Sequence, residues 1–152
     1  MESYEIFTAV HVLAAVLWVG SSTLANLFGR FTLKSGNHER LKGFLEFNEW
    51  AAPRFFIPVS LTAVVFGVLT VIDGPWDFGQ LWITVGLTMF TISFLLGVGF
   101  LGPQSPKLVA DLEAGGPDGA AFKTRLSKVL LVANIELVLL YTTVVVMVLK
   151  PT

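Results

Sequence analysis

The sequence predicts an all-α protein, four transmembrane helices in an up-down bundle. Three observations carry that prediction. Of the 152 residues, 54% are hydrophobic and 14% charged, against about 25% charged in a typical soluble domain. The mean hydropathy is +0.74. Four stretches, 6–28, 55–72, 81–101 and 129–149, approach the ~20 apolar residues that a helix needs to cross ~30 Å of hydrocarbon. Lipid leaves free backbone groups without partners, so the spans read as helices. Four strands would not close a barrel. One domain, 1–152, accounts for the chain, and its two halves show no internal repeat.

Span one starts with Glu2 and Glu5 rather than basic residues. Its apolar run is too long for a signal peptide. Glu2 offers no myristoylation glycine, and with no cysteine in the chain there is none to prenylate or palmitoylate. His11, Ala15, Trp18, Ser22, Ala25 and Gly29 alternate steps of four and three, which is one helix face. Leu13, Leu17, Leu24, Leu27 and Phe28 lie elsewhere on the helix, where they can meet lipid. Small residues let membrane helices approach closely, so the seam reads first as a packing face.

Loop one is predicted to hold a short amphipathic helix in the membrane interface. Asn37 is its cap and Glu39 sits in its first turn; Leu41, Phe44, Leu45 and Phe47 lie among Lys42, Glu46 and Glu49. Span two carries the seam Ser60, Ala63, Gly67 and Thr70, and Pro58 is the one candidate for a broken helix. Asp73-Gly74-Pro75 is a turn signal that makes spans two and three an antiparallel hairpin. Span three carries Gly86, Phe90, Ser93 and Gly97. In loop three, a short helix from Pro106 stops at Gly115-Gly116, and Asp118 is the expected cap of the helix entering span four. Span four carries Ala133, Glu136, Leu140, Thr143 and Met147. The seams face inward in the expected bundle.

Loops one and three hold nine of the ten Lys and Arg residues, and Lys150 is the tenth. The positive-inside rule then puts both termini outside. Trp76 and Trp82 fall at the outer interface and Trp50 at the inner one, as aromatic belts require. The formal net charge of -1 supplies no basic field for nucleic acid. The absence of cysteine excludes disulfides, iron–sulfur clusters and thiolate zinc sites. No nucleophile–base pair sits at matched depth, so a hydrolase is not expected; whether the chain is an enzyme stays open.

Counting ~1.5 Å per residue puts Glu136, Asn134, Ser22, Ser60 and Ser93 in one polar layer near the midplane. An ionised group there costs around 3 kcal/mol on insertion scales. Glu136 is either a neutral carboxyl bonded to a serine or Asn134, or a proton, cation or substrate site. His11 lies roughly 10 Å nearer the outer face, with Met89, Thr143 and Met147 within about a turn of its level. It is either bonded to a neighbouring span, an axial ligand to haem or a ligand to copper, or a proton relay to Glu136. Imidazole suits both metals. Met89, Met147, a water or a symmetry-related His11 would complete a haem iron's coordination. Lys150 lies on the same side and could meet a propionate; Arg30 is too far along the helix.

His11-x6-Trp18-x-Gly20, Pro75-Trp76 before span three and Met147-Val148-Leu149-Lys150-Pro151 at the end resemble the bacterial CopD-like group of membrane proteins over the whole chain. That group includes copper-resistance CopD domains and HemJ-type protoporphyrinogen oxidases. The match is closest to its four-span bacterial integral membrane proteins of unknown function. The resemblance implies a multi-pass protein of the bacterial inner membrane, with His11 at the position tied to haem. Three functions compete. The first is a b-type haem protein for redox or haem handling, with His11 as ligand beside Trp18, Met89, Met147 and Lys150. The second is cation or small-solute transport, copper included, through Glu136, with a homodimer expected. The third is a structural or assembly subunit of a larger membrane complex. In each, the bilayer is the constant partner.

Overall fold

The computed structural model describes residues 2–151. Six α-helices, α1 (Ser3–Lys34), α2 (His38–Ala51), α3 (Ile57–Asp73), α4 (Leu81–Leu96), α5 (Gly102–Gly115) and α6 (Ala120–Leu149), make the architecture, with no strand among the described residues. Five-residue π-helical stretches join α2 to α3 (Ala52–Phe56) and α4 to α5 (Gly97–Leu101). The chain therefore forms four long helical runs, each long and apolar enough to cross a membrane. This is the up-down four-helix bundle that the composition and the four apolar stretches predict. Each run spans 30 to 36 residues, so at ~1.5 Å per residue it outreaches the ~30 Å hydrocarbon layer. The excess lies at the end opposite the termini, here termed the charged end.

Local chemistry sets the helix limits. Glu2 and Glu5 form a reciprocal capping box at the start of α1. Gly36, at φ 61°, makes the tight turn after α1, a conformation that glycine adopts without steric cost. The Asn37 side chain then accepts from the Arg40 amide and caps α2, as predicted. This amphipathic helix is not a separate interfacial element, however. It runs through the π stretch into α3 and packs on α5. Gly116, at φ 69°, ends α5, as predicted. Gly119 occupies the cap of α6, and Asp118 instead pairs with Lys123 at 2.7 Å.

α1 packs mainly on α3 and α4 on α6, whereas α3 and α4 barely touch. The short turn between those two helices does not make them a packed pair. The small residues decide this: Gly67 on α3 admits α1, and Gly86 on α4 admits α6. Three apolar layers hold the pairs together. At the charged end, Leu41, Leu45, Leu108, Leu112 and Phe122 form one core. Trp18, Ala14, Ala63 and Leu140 form the middle one. Val71, Trp82 and Ile83 form the third, near the termini. Trp82 is thus buried against Trp76, ring centroids 5.2 Å apart, rather than standing in a lipid belt. Trp50 is exposed, and so are Leu13, Leu17, Leu24, Leu27 and Phe28, the residues expected to meet lipid.

Candidate functional site

Two cavities lie between the three layers. The one near the termini measures about 600 Å³ and the other, toward the charged end, about 440 Å³. Among the described residues, Trp18 alone borders both. Its ring meets Phe90 edge to face, centroids 5.5 Å apart. Every seam residue predicted on the four spans lines one cavity or the other. The sequence seams are therefore cavity walls as well as packing faces.

His11 lines the cavity near the termini. Its Nδ1 lies 2.7 Å from the carbonyl oxygen of Ala63. A carbonyl only accepts, so in the neutral ring Nδ1 carries the proton and Nε2 keeps its lone pair. Gly67 makes this approach possible, because a Cβ there would come within 2.8 Å of the imidazole. Met147 lines the same cavity and lies over Gly86. Lys150 adopts a left-handed turn at the end of α6, and its Nζ sits 3.9 Å from the centre of the Trp76 ring. Trp76 Nε1 donates to Tyr4 Oη at 3.3 Å, and Ser3 donates to the Asp73 carboxylate. These contacts tie α1, α3 and the following turn together at the mouth. Met89 lines neither cavity. Among the described residues, the wall of this cavity includes His11 and Lys150 but no Asp or Glu.

The second cavity has the opposite character. Glu136 and Glu49 line it, with no Lys, Arg or His among its described walls. Ser22, Ser60 and Ser93 join Glu136 there, as the depth count predicts. Asn134 does not. It accepts from Arg30 Nη2 at 2.6 Å, while Arg30 Nε donates to Asn26 at 2.9 Å. The Glu136 carboxylate is bonded to neither Asn134 nor a serine, and no basic side chain of the described residues lies within 4.0 Å of it. Ser60 donates to the Ile57 carbonyl at 3.0 Å. Ser93 is 0% exposed, and its hydroxyl has no partner among the described residues.

Both π stretches border this second cavity. Pro53 lies in the first, and Pro103 lies two residues past the second, in the first turn of α5. Proline has no N–H to donate, and single π turns are frequent at functional sites. Pro58 is not a break; it sits inside the first turn of α3. The proline pairs 53/58 and 103/106 were the signal available in the sequence.

Among the described residues, no group of three or more His, Asp or Glu side chains is placed to hold a metal ion. A bare copper ion would find His11 as its one imidazole. The chain matches no protein-family model, no curated protein and no solved structure. Its class rests on the fold: a helical bundle with four runs fit to cross a membrane.

Proposed function

We propose that the protein is an integral membrane protein that holds a b-type haem through His11 and serves redox transfer or haem handling. One observation supports this reading above the others: Ala63 fixes the His11 ring through Nδ1, beside a cavity of about 600 Å³. A metal-ligating histidine characteristically donates its other ring N–H to a carbonyl or carboxylate, which sets the ring and raises its basicity. The volume falls within the ~300–1,000 Å³ of small-molecule and cofactor sites.

The remaining walls fit the same group. Trp18, Phe90, Leu87 and Val71 supply apolar surface that excludes water. Met147 lines the same cavity as His11, and its thioether would be available to the iron. Lys150 lies at the mouth, with no carboxylate in the described wall to oppose a propionate. When bound, haem iron supplies a one-electron couple, tuned by its axial ligands and by burial. The protein's own part is to orient Nε2, keep the site dry and neutralise the propionates.

The reading includes a site in the bacterial inner membrane with both termini outside, supported by nine of ten basic residues in the two loops at the charged end. A bundle carrying one redox centre needs a donor or acceptor beside it. That partner is proposed to be a second copy of the chain or a larger membrane complex.

The test is an absorbance spectrum of detergent-purified protein, expressed with ample haem precursor, beside His11→Ala. A stoichiometric Soret band that the variant lacks is expected. Two equally folded, colourless proteins would overturn the reading.

A further inference from the structure

The cavity toward the charged end is not used by the haem reading, and its chemistry is distinct. Glu136 and Glu49 are its charged walls, with no described cation among its lining residues. The nearby arginines are engaged elsewhere: Arg30 by Asn26 and Asn134, and Arg54 by the carbonyl and ring of Trp50. Trp18, Phe44, Phe56 and Phe94 supply aromatic surface. The buried Ser93 hydroxyl lacks a partner and also borders this space.

We propose that this cavity binds an organic monocation, an ammonium-type centre carrying an apolar body, with its charge at Glu136 and its body against the aromatic walls. Several features select this class. An unpaired carboxylate inside a largely apolar wall favours one positive charge. Aromatic faces attract organic cations and are the usual cage for quaternary ammonium groups. A hard metal cation would need six or more oxygen ligands, and no group of three or more His, Asp or Glu among the described residues is placed to supply them. An anion is opposed by both carboxylates. At about 440 Å³, the space suits a molecule rather than an ion, within the usual range of ligand pockets. The π stretches supply backbone irregularity on two helices of the wall, which gives it room to adjust. The proposal uses neither His11 nor haem, so it stands or falls separately from that reading.

The experiment is equilibrium dialysis of the full-length protein in detergent with labelled tetraphenylphosphonium, a permanent cation with aromatic bulk. Saturable binding is expected in the wild type. A loss of roughly tenfold or more in affinity, equivalent to about 1.4 kcal/mol, is expected in Glu136→Gln, with no loss in His11→Ala. Glu136→Asp, which keeps the charge, is expected to fall between wild type and Glu136→Gln. A second comparison needs no variant: triphenylphosphine oxide, an uncharged aromatic relative, is expected not to displace the probe. The proposal is overturned by absence of saturable binding in the wild type. Equal binding to a folded Glu136→Gln protein, or full displacement by the neutral relative, overturns it in favour of a lipid-like apolar site. Full displacement by sodium or magnesium ions overturns it in favour of an inorganic cation site.

Discussion

Trp18 and Phe90 meet edge to face across the middle of the bundle, ring planes at 72° and centroids 5.5 Å apart. Packed with Leu140 and Ala63, they part the cavity lined by His11 and Lys150 from the one lined by Glu136 and Glu49. Trp18 is only 7% exposed, so its ring is wall and packing at once. Trp18→Ala should join the two spaces and cost about 3–5 kcal/mol of stability. Trp18→Phe should keep the partition at a smaller cost. The chain has no cysteine, so Ser93→Cys supplies a single thiol. In liposomes, a thiol reagent added from the side of the termini should label it much faster in the Trp18→Ala background. Equal labelling in both backgrounds would show that another layer separates the cavities.

Gly67 gives a sharper test of His11. A Cβ at this position would lie 2.8 Å from Nδ1, whereas a Cβ at Gly20 would have nothing within 4 Å. Gly67→Ala should displace the imidazole from Ala63, with an overpacking cost of about 1–3 kcal/mol. Gly20→Ala, elsewhere on the same cavity's edge, should be silent. Under the haem reading, the ratio of Soret to protein absorbance falls in Gly67→Ala and is unchanged in Gly20→Ala, with helicity retained in both. Equal haem content in the two variants would separate His11 orientation from haem binding.

Much of this arrangement is legible in the sequence because membrane helices have one strong signal, a small or polar face on an apolar rod. His11, Trp18 and Ser22 at helical spacing already mark the wall of α1, and Glu136 with Ser60 and Ser93 marks the level of the second cavity. Other relationships depend on three-dimensional choices that spacing does not encode. Asn134 is two residues from Glu136 along α6, yet it bonds Arg30. Asp118 can cap or pair, and the reach of Lys123 decides for pairing. A short turn after Asp73 suggests that α3 and α4 pack together. The glycines that meet His11 and Met147 instead favour α1 against α3 and α6 against α4. The π stretches are hidden because proline marks a disturbance without specifying its form.

The layer at the charged end predicts a pH response. Lys42 Nζ and Glu113 Oε1, 2.5 Å apart, join α2 to α5. The hydrogen bond from Lys42, reinforced by its charge, holds the Glu113 carboxyl below the ordinary carboxylate value. The same bond holds the Lys42 ammonium above the ordinary lysine value. A lowered carboxylate pKa gives stability that is present above the unfolded value and lost as pH falls through the folded one. The raised lysine gives stability that is present below its unfolded value and lost as pH rises through the folded one. Glu113 is exposed and Lys42 only half-buried, so the effect is small and weakens with salt. Melting curves of Lys42→Met against wild type should therefore differ most near neutral pH at low salt, and converge in acid, in strong base and in high salt. A difference that persists at acid pH would assign the effect of Lys42 to the packing of its stem.

Ser93 supplies the test with an unusual sign. It is wholly buried, it lines the same cavity as Glu136, and its hydroxyl has no partner among the described residues. A buried hydroxyl left unpaired costs about 1–3 kcal/mol. Removing it spares that cost and leaves little void, because serine and alanine differ by one oxygen. Ser93→Ala should then raise the thermal midpoint of the detergent-purified protein, by up to about 1 kcal/mol in stability. Most buried substitutions do the reverse, so the direction alone is informative. If the midpoint falls instead, the hydroxyl has a partner in the working protein, and Glu136, on the wall of the same cavity, is the one to test. The double variant Ser93→Ala, Glu136→Gln then decides the matter. Additive shifts would mean two independent groups, and a non-additive pair would mean a hydrogen bond between them.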